Sequence, residues 1–234
     1  MARKPRNAPG GLAYHVMNRT WGKIDLFEDS GDYEAFERVL AEAVEREKTM
    51  RLCAYCLMPK HFHLVLWPTA QGQLSRFMQW LSMTHAQRWH AHRHSVGRGH
   101  LYQSRFKSFV IQEDGHFLSV CRYVERNPLR ANLAARAEEW RWGSLWVREN
   151  HQGPMKSALS VWPVSIPRDW LSRVNAPQDE KELAALRCAR DRGRPYGEDG
   201  WAQTIARRLG IESSMRPVGR PKKSRNGRKT KNGL

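Results

Sequence analysis

The sequence predicts an α+β fold: a ferredoxin-like βαββαβ sandwich, an antiparallel sheet with helices on one face, followed by a C-terminal, mostly helical extension. Three observations lead there. Between positions 13 and 112 the apolar pattern passes through strand, helix, strand, strand, helix and strand periods. Only Pro59-Lys60 separates the second and third strand-like runs, which favours an antiparallel hairpin. Turn residues such as Gly10-Gly11 and Glu113-Asp114-Gly115 mark the changes of period. That order of elements is the split βαβ arrangement.

Taken in order, Ala13 to Asn18 is the first strand, entered from the Gly-Gly turn. Tyr33, Phe36, Leu40, Ala43 and Val44 recur at three- and four-residue steps and predict an amphipathic helix. Leu52–Met58 and His61–Trp67 form the hairpin. Leu74, Phe77, Met78, Leu81, His85 and Trp89 make the stripe of a second helix. Phe106 to Gln112 is the fourth strand, and a third helix carrying Tyr123 follows. After Trp146 periodicity fades, and residues 150–180, rich in Pro, Ser and Trp, predict loops packed by aromatics. Glu180–Arg190 and Gly200–Leu209 predict two more helices, the second ended by Gly210. From Arg216 on, eight Lys and Arg side chains occur without an acidic residue, which predicts a tail disordered in isolation. The expected organisation is 1–148, 149–215 and a basic tail over 216–234. Trp140, Trp142 and Trp146 are expected beneath the third helix.

The bulk composition narrows the partner. Forty Lys+Arg against 23 Asp+Glu over 234 residues give a formal charge of +17, so a polyanion, nucleic acid first, is expected. A mean hydropathy of −0.72 and the lack of an apolar run of spanning length weigh against a membrane. The basic N-terminus has no apolar stretch and is not a secretory signal. Four cysteines suggest no disulfide framework at this size. Cys53 and Cys56 form a lone CxxC on a strand-like run. Strict alternation places them on opposite faces, and buried structural thiols in a reducing cytoplasm are expected.

The chemistry is carried by two short segments. In His61-Phe62-His63 the two imidazoles share one face of a strand while Phe62 faces the other way. In Arg122-Tyr123-Val124-Glu125-Arg126-Asn127-Pro128, Tyr123 and Asn127 stand four apart on a helix and can converge. Two histidines, an amide oxygen and a phenol suggest a metal-assisted tyrosine nucleophile acting on a phosphodiester. Each motif also has a plainer reading: two histidines on a half-buried sheet face, a tyrosine that packs, and an asparagine that ends its helix before proline. His90, His92 and His94, in a loop with Arg88, Arg93 and Arg98, belong to a solvated basic surface. Arg98, His100, Arg105 and Lys107 are expected as phosphate contacts, with Tyr102 and Phe106 as base-stacking partners; the alternative is ordinary solvation of an edge strand.

The stretches Pro9–Arg19, Ala54–Leu64 and Arg122–Ala131 together resemble the IS200-like (Y1) tyrosine transposases of the HUH type. Arg192-Gly193-Arg194-Pro195-Tyr196-Gly197 and Val218-Gly219-Arg220-Pro221-Lys222-Lys223 resemble the branch known as REP-associated tyrosine transposases. The resemblance implies that His61 and His63 hold a divalent metal, that Tyr123 is the nucleophile, and that Asn127 is a third ligand where some members carry Gln. Lys60 stands where many relatives carry Asn. Mg²⁺ is implied by the family, while two imidazoles suit Mn²⁺ by softness. The implied reaction cuts single-stranded DNA, leaving a 5′-phosphotyrosine and a free 3′-hydroxyl, on a hairpin-forming repetitive extragenic palindrome. Arg19, Arg130, Arg220, Lys222 and Lys223 join the expected DNA contacts. A cytoplasmic, nucleoid-associated monomer or homodimer is expected, and the sequence assigns no proton acceptor to Tyr123. The competing reading is a catalytically silent nucleic-acid-binding protein using the same sheet and tail.

Overall fold

The structure is a computed structural model that describes residues 6–22 and 24–216. The expected calls on Arg220, Lys222 and Lys223, with most of the basic tail, lie outside the described residues. The sheet contains β1 (Ala13–Arg19), β2 (Arg51–Met58), β3 (His61–Trp67) and β4 (Lys107–Ile111). They are antiparallel in the order β2-β3-β1-β4, the ferredoxin-like topology. Helices α1 (Ser30–Arg46) and α2 (Gln73–His92) share one face, where Phe36, Leu40, Phe77 and Leu81 pack on Val16, Leu57, Phe62 and Leu64.

A third helix, α3 (Gly115–Glu125), covers the opposite face, with Phe117, Val120, Cys121 and Val124 against Ala54, Cys56, Val65 and Phe109. The sequence of β2 explains the double cover. Leu52 to Met58 is an unbroken apolar run rather than an alternating one, and such a strand must be buried on both sides. A register shift between Leu52 and Ala54 bulges this strand. The extra residue corrects the placing of the cysteines: Cys53 and Cys56 both belong to the core beneath α3 rather than to opposite faces. They are free thiols, and burial pushes the Cys53 thiol up to about 12, so neither is a candidate nucleophile.

Beyond α3 come α4 (Asn127–Arg130), α5 (Ser144–Asn150), α6 (Trp170–Asn175), α7 (Glu180–Arg192) and α8 (Asp199–Leu209). Residues 150–180 therefore hold a helix as well as loops. Within them, Trp162 meets Phe117 edge-on at 5.6 Å, and Trp170 donates through Nε1 to the buried Glu125 carboxylate at 2.8 Å. Both belong to the core beneath α3, and Trp140, as expected, packs against it. Trp142 instead stacks on Tyr33 of α1 at 4.8 Å, and Trp146 joins the α1–α2 core.

This later part of the chain also closes both sheet edges. Along β2, the backbone N–H of Leu57 donates to the Trp142 carbonyl at 2.9 Å and that of Tyr55 to Ser144 Oγ at 3.1 Å. Indole N–H groups finish the row: Trp140 donates to the Leu57 carbonyl at 2.9 Å and Trp162 to that of Cys53 at 2.6 Å. Along β4, Tyr196 donates to the Val110 carbonyl and accepts from Gln112 N–H, both at 2.9 Å. Gly197 must be glycine here, since a Cβ would meet Gln112 Oε1 at 2.5 Å. Exposed strand edges invite pairing with other chains, and these ones are covered.

Candidate active site

The period of β3 and β1 decides which side chains face α3. His61 and His63 share that face with His15, Met17 and Arg19 of the neighbouring β1, where Arg19 is the register partner of His61 and Met17 that of His63. The two rings of β3 lie 4.9 Å apart between centroids. Tyr123 of α3 comes down on them from above: its ring is 5.9 Å from His63 and 6.1 Å from His15, edge-on to both. The sheet pair and the tyrosine, sixty residues apart in the chain, thus meet at one place.

Pro128 does not cost Asn127 its position. The chain stays in the α region at Arg126 (φ −84°, ψ −4°), the Arg126 N–H still reaches the Arg122 carbonyl at 2.9 Å, and α4 restarts at Asn127. Proline tolerates the first turn of a helix because its missing N–H has no intrahelical partner there. Asn127 is buried, and its Oδ1 accepts from Arg130 Nη2 at 2.7 Å, so the oxygen expected to ligate a metal is engaged by a guanidinium.

Arg130 is corrected from an expected DNA contact to an internal clamp. It lies 4.0 Å over the Tyr123 ring, donates to the Tyr123 carbonyl at 3.1 Å, and donates to Gln178 Oε1 at 3.0 Å. It is the last of three arginines at helical spacing. Arg122 donates to the carbonyls of Ala176 and Pro177, and Arg126 to those of Val174 and Asn175. Together they satisfy backbone oxygens at and beyond the end of α6, which a helix terminus otherwise leaves open.

A second arginine reaches the Tyr123 hydroxyl. Arg190 of α7 donates to the Tyr123 hydroxyl at 3.4 Å and is anchored by Asp191, which also accepts from Lys107 at 3.0 Å. Lys107, expected to meet phosphate, is therefore paired with an acid. Arg19 is exposed and donates to Gln103 on the same rim. Arg98, His100 and Arg105 are exposed on the loop between α2 and β4. Tyr102 is not available for stacking, because its hydroxyl bonds His85 Nδ1 at 2.7 Å and its ring turns to Phe62 on the α1–α2 side. Phe106 is covered by the Arg6 guanidinium at 3.9 Å. His90 and His92 stand on the last turn of α2 rather than in a loop.

The electrostatics around the histidines are one-sided. Burial, then the charges of Arg190, Arg19 and Arg130, hold His61 down at about 4. Burial likewise presses His63 well below the ordinary imidazole value and His15 to about 3. All three are neutral at pH 7, with ring lone pairs available, in surroundings that are cationic. Among the described residues, no three His, Cys, Asp or Glu side chains are arranged to hold a metal by themselves. Two neutral imidazoles fit a divalent cation that completes its coordination with oxygen ligands, an anionic one among them.

The sequence pattern of the family described as "Transposase IS200 like" matches residues 10–127, half of the chain, and so spans β1 through Asn127. The chain belongs to the IS200-like transposases. A search of curated proteins finds no match. Among solved structures, this transposase is similar to a REP-associated tyrosine transposase bound to a REP hairpin. The TM-score is 0.52 at 14% identity, over 70% of this chain and 94% of that one. A second structure, from Deinococcus radiodurans R1 and designated provisionally as a transposase, gives a TM-score of 0.37 at 21% identity, over 53% of this chain and 96% of that one. The first likeness establishes a shared fold. Among the described residues no helix is long and apolar enough to cross a membrane. Arg190 and Gln178 lie beyond the family match, and no spacing rule links them to Tyr123. His15 had a signal: it shares the two-residue period of Arg19 on a strand beside the His-x-His run.

Proposed function

We infer that this transposase cuts and rejoins single-stranded DNA through Tyr123, with His61 and His63 as its metal ligands and hairpin-forming repeat DNA as its substrate. The observation that carries the reading is the meeting of the Tyr123 ring on α3 with His63 on β3 at 5.9 Å. A phenol is a weak nucleophile at neutral pH and needs both a counter-charge and a polarised target. Arg190, 3.4 Å from the phenolic oxygen, supplies positive charge where negative charge develops. Arg130 stacks on the ring and holds its orientation. A divalent cation, Mg²⁺ or Mn²⁺, would supply Lewis-acid charge to the non-bridging oxygens of the scissile phosphate. Tyr123 Oη bonds to phosphorus as the P–O3′ bond breaks, so the 5′ side stays on the enzyme and the 3′-hydroxyl leaves. Reversal of the same step joins strands without another energy source. Exposed Arg19, Arg98, His100 and Arg105 line the approach for backbone phosphates.

Tyr123→Phe tests this directly. The variant is expected to lose cleavage and the covalent protein–DNA adduct while keeping hairpin affinity within about twofold, since well under 1.4 kcal/mol of contact is removed. EDTA is expected to stop the wild type, with Mn²⁺ or Mg²⁺ restoring it. Nicking by Tyr123→Phe at the wild-type rate places the nucleophile elsewhere. The burial of Tyr123, 4% exposed, favours a second reading, a silent DNA-binding protein. Hairpin binding without any adduct in the wild type would establish it.

A further inference from the structure

His15 makes a demand on a single proton. Its Nε2 lies 2.8 Å from His63 Nδ1, and both rings are buried, so one of the two nitrogens donates and the other accepts. With one proton per ring, as an imidazole that ligates a cation must have, each ring carries one N–H and one lone pair. Two arrangements satisfy the contact. If His15 donates, His63 must carry its own proton on Nε2 and has no lone pair left for a cation. If His63 donates from Nδ1, its Nε2 lone pair is bare. His15 then holds its remaining proton on Nδ1, which finds no partner among the described residues. Neighbouring rings fix the pair: Phe109 stacks on His15 at 4.8 Å, and Tyr123 meets both histidines edge-on.

We propose that His15 is the positioning residue of the metal centre: its Nε2 accepts the Nδ1 proton of His63 and so leaves the His63 Nε2 lone pair for the cation. The inference rests on the reading of His61 and His63 as ligands. Metal-bound histidines depend on the partner of their second nitrogen, because that partner fixes tautomer and ring orientation. In this protein the partner is another imidazole rather than a carboxylate, in keeping with the charged groups that act on His61 and His63 among the described residues, which are arginines and histidines. A neutral acceptor orients the ligand without adding negative charge, so the centre stays cationic overall and is completed by an anion such as a phosphodiester.

The test uses the full chain and Zn²⁺, a diamagnetic ion that favours imidazole. His15→Phe removes the acceptor while keeping a ring against Phe109; His15→Gln restores an acceptor oxygen. Zn²⁺ affinity by calorimetry is expected to fall about tenfold to a hundredfold in His15→Phe and to stay within about threefold in His15→Gln. Nitrogen-15 spectra of the Zn²⁺-loaded wild type are expected to show His63 protonated at Nδ1 and His15 accepting at Nε2. Unchanged affinity in His15→Phe, or a His63 without a proton on Nδ1, overturns the proposal. Should His15→Phe fail to fold, the Gln variant and the wild-type spectra decide it. A wild type that takes up no Zn²⁺ at the His pair removes the ligand reading itself, a different failure that carries this proposal down with it.

Discussion

At Arg190 a charge borrowed from outside the family-matching residues stands at the hydroxyl of Tyr123. Its role is testable apart from folding. Arg190→Ala is expected to slow single-turnover adduct formation by about tenfold or more, as loss of a donor aimed at developing charge does. Arg190→Lys should recover part of the rate and hairpin affinity should change little. Equal rates in all three proteins would reduce the contact to packing. His85 offers a residue whose titration is separate from the site. Burial holds it at about 3, against 6.5 for the ordinary imidazole, with its Nδ1 on the Tyr102 hydroxyl. Between those values the unfolded chain binds more protons than the folded one, so stability is full above pH 6.5 and falls as pH drops toward 3. One such group contributes up to about 1.4 kcal/mol per pH unit in that window. Urea midpoints measured from pH 7 to 4 should therefore fall less steeply in His85→Leu than in the wild type; parallel slopes would show that His85 already titrates normally.

Among the elements, α3 bears the heaviest constraint, since it brings Tyr123 to the sheet and must be held there. Glu125, two residues further on, does part of this: buried, it accepts from Ser144 Oγ at 2.7 Å and from Trp170 Nε1 at 2.8 Å, and burial raises its pKa. Trp170→Phe keeps the ring but strands one carboxylate oxygen, and is expected to cost about 1.5–3 kcal/mol of stability in denaturant titrations. A loss below about 0.5 kcal/mol would mean that the carboxyl finds another donor. Much of this architecture was legible from residues. The period of His61 to Trp67 set both the strand and the shared face of its histidines, and the Pro59-Lys60 connection set the hairpin. The bulge at Cys53 was not legible, because a continuous apolar run carries no alternation from which a slip can be noticed. Arg130 misled for a related reason. Arginines at 122, 126 and 130 look like a charged helix face, and only their acceptors, the carbonyls at and just past the end of α6 for Arg122 and Arg126 and the Gln178 side chain for Arg130, show that the face is inward. The pattern singled out Tyr123, His61 and His63, which the fold brings together; it did not single out Arg190, which arrives across an irregular stretch that no periodicity bridges.

Over the whole molecule, the segment that follows the family match is built into the sheet rather than hung from it. Both cores contain its side chains, Met155 in one and Trp162, Trp170, Leu183 and Leu186 in the other. It also supplies hydrogen-bond partners to the outer rows of β2 and β4. The consequence concerns how the protein opens. Amides at the rim of a sheet ordinarily exchange with solvent through small local fluctuations, while those of inner strands wait for larger ones. Here the amides of Tyr55 and Leu57 on one rim and Gln112 beside the other are donors in closed pairs. Deuterium labelling of the intact chain is expected to give them protection close to that of Val16 and Leu64 in the centre, and faster rim exchange by several orders of magnitude would contradict it. Slow rims and slow centre would mean that the transposase breathes as one cooperative unit, in which the strand bearing the histidine pair is released to solvent only when the later helices let go.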